Sequence, residues 1–129
     1  MNGALANMTI GVIDNWRRFV KAPFFGAPYI ADLYNAEPIH SKVIMTIMDG
    51  LALEYAGGPQ ANPTHTIIYG TLLASRDPVA IDATAINLIN EQRVIANLPK
   101  LEGITEHVQS AEALGLGNAK KIQAIRVGR

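Results

Sequence analysis

A chain of 129 residues is the size of one domain, long enough to bury roughly two-thirds of the surface its unfolded form exposes. Its 49% hydrophobic and 17% charged residues exclude the disordered class, and eleven basic against eleven acidic residues leave no net field that would favour nucleic acid or an anionic membrane as partner. The lack of cysteine excludes disulfides, thiolate metal sites and an iron–sulfur cluster within this chain, and no apolar run nears the ~20 residues that span a bilayer.

The first residues have neither the basic start nor the apolar stretch of a signal peptide, and the compartment stays open, cytoplasmic or exported by a leader since removed. Residues 4–19 read two ways: Thr9-Ile10 and Val12-Ile13 suit a strand, whereas 15–20 suit a helix. Arg17-Arg18 is a solvated pair, as is Lys120-Lys121, while Trp16 and Phe24-Phe25 are expected to anchor a core or an interface. A loop over 21–28 leads into a short helix over 29–36, stopped where Pro38 restricts Glu37. Residues 42–48 form an apolar run, expected to be a buried strand that ends at the turn Asp49-Gly50. A loop over 56–66 holds Gly57-Gly58-Pro59, and a second strand follows over 67–75, with a break permitted at Gly70. Asp77 is a good N-cap and Pro78 suits the first helical position, so the longest helix is expected from Pro78 to about residue 96. After a loop over 97–103, a helix over 105–114 is stopped by Gly115. Residues 121–127 alternate enough for a final strand, with a helical turn over 119–122 as the other reading.

Strands alternating with helices predict a single α/β domain over residues 1–129. The expected architecture is a small layered fold with a three- to four-stranded, mostly parallel or mixed sheet covered by helices. So small a sheet suggests that the chain belongs to a larger protein or completes itself as a homodimer.

The acidic residues carry what chemistry there is. Asp82 shares the apolar stripe of its helix with Pro78, Val79, Ile86 and Ile89, and a buried carboxylate needs a partner. It either pins the strand–helix corner, through backbone amides or Arg76, or acts as a ligand or proton-handling group beside Asp77. If the two strands are parallel neighbours, Asp49 and Asp77 fall at one sheet edge. Asp49, Asp77 and Asp82 would then be candidate ligands for a hard divalent cation such as Mg²⁺. The plainer reading makes Asp49-Gly50 a turn and Asp77 a cap. Gly57 and Gly58 let backbone approach a ligand, without the lysine or spacing of a phosphate loop, and His65 ends the same loop. His40 precedes a strand, His107 lies on a helix with apolar neighbours, and no histidine pair has metal-ligand spacing. Ser41, Ser75 and Ser110 lack a nucleophile-elbow context.

Asp49-Gly50, Gly57-Gly58-Pro59, the run Leu73-Ala74-Ser75-Arg76-Asp77-Pro78-Val79-Ala80-Ile81-Asp82-Ala83, His107 and Ala113-Leu114-Gly115-Leu116-Gly117 occur in this order. The succession resembles the bacterial and archaeal family catalogued as domain of unknown function 362, over about residues 3–127. The resemblance implies longer full-length members, often with cysteine-rich iron–sulfur segments and some with secretion signals, of which this chain would be the C-terminal portion. Ala6-Asn7 departs from the family, where a lysine is expected before the asparagine. With no cysteine, the redox association does not carry over to this chain. Two functions follow as expectations. The first is a small-ligand- or metal-binding domain of a redox-associated protein, with acid–base or cation-assisted chemistry on a small anionic substrate if it is an enzyme. The second is a structural or assembly domain, completed by a missing N-terminal region or by a second copy.

Overall fold

The computed structural model describes residues 3–14, 26–58, 60–103 and 105–128. In chain order they form α1 (Ala4–Val12), α2 (Ala27–Asn35), β1 (Thr46–Glu54), β2 (Thr66–Ser75), α3 (Pro78–Ile95) and α4 (Glu106–Ala113), a mixed α/β arrangement. Among the described residues the sheet is one antiparallel pair, with Thr46 opposite Ser75, Asp49 opposite Leu72 and Glu54 opposite Thr66. Of the expected three- to four-stranded, mostly parallel or mixed sheet, the described residues contain two strands, and their antiparallel pairing corrects the parallel arrangement for a reason of chain length. Parallel neighbours need a crossover of about a dozen residues or more, usually helical, and residues 55–65 provide only a loop with one 3-10 turn.

β2 is not interrupted at Gly70 but bulges there. The register shifts between Gly50 and Ala52, so that Leu51 faces two residues of β2, and Gly70 sits there at a φ of 70°. Such a bulge needs a residue that tolerates the left-handed region. β1 lies further along the chain than expected, and Asp49-Gly50 falls inside it instead of ending it. Residues 121–127 form no strand and are exposed apart from Ile122, which packs partly buried against the core. The expectations for 15–20, Trp16 and Phe24-Phe25 lie outside the described residues.

Local chemistry explains the helices. Asp77 accepts the Ala80 amide at 2.8 Å and Pro78 opens α3, as the sequence led one to expect. At the end of α4, Gly115 (φ 74°) donates to the Glu112 carbonyl and Leu116 to that of Ala111, the double bond of a glycine-terminated helix. α1 is helical despite Thr9, Ile10 and Val12, and it has no side-chain cap of its own on Gly3.

The core lies among the four helices. Leu5 of α1, Ile30 and Tyr34 of α2, Val79 of α3, and Val108 and Ala111 of α4 form its buried cluster. Side chains such as Leu5 and Val79, both wholly buried, each contribute about 1.5–3 kcal/mol by leaving water. The hairpin packs against α3. It exposes Ile47, Leu51 and Leu72 on one face and, beyond the bulge, Ile68 beside Ala52 on the other, with Ile68 93% accessible. Among the described residues no helix is long and apolar enough to cross a membrane.

Candidate functional site

Asp82 is 1% exposed, yet its carboxylate is fully engaged. One oxygen accepts the Ala4 amide, the other accepts the Leu5 amide at 3.0 Å, and His107 Nε2 lies 3.8 Å from that second oxygen. The amides are those that open α1, so a carboxylate one turn into α3 supplies the N-terminal anion that α1 lacks. Gly3 is the residue this contact demands, because any Cβ there would collide with the Asp82 carboxylate. The partner of Asp82 is thus backbone, as in the pinning alternative, and the amides belong to a helix start rather than to a loop. Tyr34, buried nearby, has its phenol pushed above the ordinary value of 10.0, first by burial and then by the charges of Asp82 and Asp77.

Asp77 repeats this pattern at a second place. Beyond capping α3, its Oδ2 accepts the Asn118 backbone amide at 2.8 Å and the Asn118 side-chain amide at 3.4 Å. Gly117 gives way to it, since a Cβ there would overlap the Asp77 carboxylate. Asp49 lies on the exposed side of β1, where Oδ1 accepts the Leu51 amide at 2.8 Å. Among the described residues no group of three or more His, Cys, Asp or Glu side chains is placed to hold a metal ion. The cation centre expected of Asp49, Asp77 and Asp82 is therefore not assembled. The antiparallel register explains this, because it puts Asp49 opposite Leu72, partway along the hairpin, while Asp77 follows its end.

What the fold does assemble is a cleft of about 540 Å³ along one face of α3. Asp82, Ile86, Ile89 and Arg93 recur on that face at helical spacing, and the Gly57-Gly58 loop and His107 complete the walls. Of the residues singled out in the sequence, Gly57, Gly58 and Asp82 come together here. His65 does not line this cleft: its Nδ1 lies 3.1 Å from the Asn62 side-chain amide and its ring meets Tyr55 edge-on at 5.5 Å. Asp49 lines a separate cleft of about 590 Å³ with Tyr34 and residues of α1 and β1.

Three further features shape the cleft. Gly57 adopts a φ of 93° with the Asn62 side chain packed where a Cβ would go, and Asn62 also accepts the Thr64 amide at 3.1 Å. Arg93 donates from Nε to the Pro99 carbonyl at 2.6 Å and from Nη1 to the Tyr55 carbonyl at 2.8 Å, joining the end of α3 to both neighbouring loops. Glu54 Oε1 is buried and meets no hydrogen-bond donor among the described residues. Sequence reasoning missed Arg93 and Glu54. The signal for Arg93 was available, since it stands eleven residues after Asp82 on the stripe of Ile86 and Ile89. Glu54 carried no signal of its own.

The family model described as Domain of unknown function (DUF362) matches residues 1–87. The chain belongs to this family. The DUF362 match takes in α1, α2, the hairpin and the Asp77–Asp82 corner, but not the span to Val127 that the motifs suggested. Because it covers the N-terminal part of the chain, it does not support placing this chain as the C-terminal portion of a longer DUF362 member. No curated protein and no solved structure matches the chain.

Proposed function

We propose that this DUF362 chain is a binding domain that takes a small polar molecule in the cleft between α3, the Gly57-Gly58 loop and α4. The observation supporting this is that Gly57, Gly58 and Asp82 line one cleft together with Glu54, Arg93 and His107. Asp82 serves it as a strut, because both its oxygens already accept amides. Ile86 and Ile89 offer an apolar wall, and concave sites that combine apolar walls with a few convergent polar groups are the usual form of ligand pockets. A thermal-shift screen against small organic anions, amines and divalent cations tests the reading, run in parallel on His107→Ala. A compound that raises the melting temperature of the parent and not of the variant supports the cleft. No shift with any compound overturns it. A rise with a divalent cation alone that vanishes in Asp49→Asn or Asp77→Asn would instead favour the cation reading.

A second reading is favoured by the hairpin. One face exposes Ile47, Leu51 and Leu72 on a sheet that has two strands among the described residues, and such apolar faces mark contact surfaces. In this reading the chain is an assembly domain whose sheet is covered by a second copy or by another region of a longer protein. Sedimentation of the parent and of Ile47→Lys/Leu72→Lys decides. A parent dimer that the variant dissociates favours assembly, and a monomer in both removes self-association.

A further inference from the structure

We infer that the cleft takes a primary amine, its ammonium group held at Glu54 and its aliphatic body laid along Ile86 and Ile89. The inference rests on the cleft being a ligand site and adds the chemical class. Glu54 Oε1 is buried with no donor among the described residues, and a desolvated carboxylate oxygen calls for one. The arginine lining the cleft does not supply it: Arg93 directs Nε and Nη1 at the carbonyls of Pro99 and Tyr55, and among the described residues Glu54 enters no ion pair. Charge points the same way. Among the described residues the cleft is lined by two carboxylates, Glu54 and Asp82, and one guanidinium, that of Arg93, so a monocation restores neutrality. Asp82 is already met by two backbone amides, which leaves Glu54 as the place for that cation. A bare metal ion fits poorly, because hard cations require several oxygen ligands and no group of three such side chains is present among the described residues. An ammonium group needs only one carboxylate partner. Ile86 and Ile89, about 4.5 Å apart along the helix axis at ~1.5 Å per residue, offer apolar wall for a short alkyl chain.

The test is an NMR titration of the full chain with n-butylammonium chloride, sodium butyrate and butan-1-ol at matched ionic strength. The expected result is saturable shifts of the Ile86 and Ile89 methyls and the Glu54 amide with butylammonium, at an affinity about tenfold above that of butyrate. Glu54→Gln is expected to lose about tenfold in butylammonium affinity at an unchanged melting temperature. If butyrate or butanol binds as tightly with the same shifts, or if folded Glu54→Gln binds butylammonium undiminished, the amine assignment is overturned while the cleft stands. If none of the three probes moves Ile86 or Ile89, the cleft itself falls as a ligand site. Should Glu54→Gln fail to fold, the ranking of the three probes on the parent decides alone.

Discussion

The carboxylate of Asp82 receives the amide of Leu5 at 3.0 Å, across 77 positions of sequence, and thereby fixes the start of α1 against the second turn of α3. Removing it strands two amides, one of them deeply buried. Asp82→Ala is expected to lower the unfolding free energy by about 2–4 kcal/mol, read from urea denaturation. Asp82→Asn, which keeps one acceptor, should fall between the two. An Asp82→Ala protein as stable as the parent would contradict the pinning role.

Gly117 and Asp77 form a second such pair. Gly117→Ala should destabilise by about 1–3 kcal/mol, because the added methyl overlaps the Asp77 carboxylate. In an Asp77→Ala background the same substitution has room, and its effect should shrink. A double-mutant cycle showing coupling of at least about 0.5 kcal/mol confirms the contact, whereas additivity refutes it.

Tyr34 makes stability depend on alkaline pH. Burial and the charges of Asp82 and Asp77 raise its phenol above 10.0 in the folded state, so the folded chain holds this proton more tightly than the unfolded one. The contribution is fully present below pH 10.0 and is lost as pH rises through the folded value. Melting temperatures measured from neutral pH to above 10.0 should decline more steeply for the parent than for Tyr34→Phe. Parallel declines would show that Tyr34 does not contribute.

Gly70 separates backbone strain from crowding. An added Cβ would meet nothing within 4 Å, yet φ is 70°. Gly70→Ala should therefore destabilise by about 1 kcal/mol through conformation alone, and Gly70→Asn, which tolerates the left-handed region, should recover part of it. Equal stability of all three proteins in urea would mean that the bulge relaxes without penalty.

The features legible in the sequence were those with a local cause. The Asp77-Pro78 start of α3, the Gly115 stop and the irregularity at Gly70, a bulge instead of the break allowed for, each follow from one residue's conformational or bonding limits. The need for Asp82 to find a partner was also legible, from a charge on an apolar stripe. Its actual partner was not, because periodicity says nothing about which helix start lies beside it. That gap also left residues 4–12 ambiguous: the β-branched Thr9, Ile10 and Val12 weigh toward strand, and a distant carboxylate favours helix instead. Strand direction was legible but not read: the short 55–65 connection permits a hairpin and not a parallel crossover, which the two apolar runs alone do not show. Within the cleft, the Gly57-Gly58 loop and Asp82 were found by residue type. Glu54 was missed because its significance lies in burial without a donor, a property no isolated residue displays.

The long reach from Asp82 to α1 also orders events in time. Residues 4–12, separated from α3, lack the group that completes their first amides and contain three β-branched residues, so a peptide of that span should show little helix. In the intact chain α1 can settle only once α3 has formed and closed the long intervening loop, an entropically late step. Substitutions within α1, such as Leu5→Ala, should therefore hasten unfolding while leaving the refolding rate close to that of the parent.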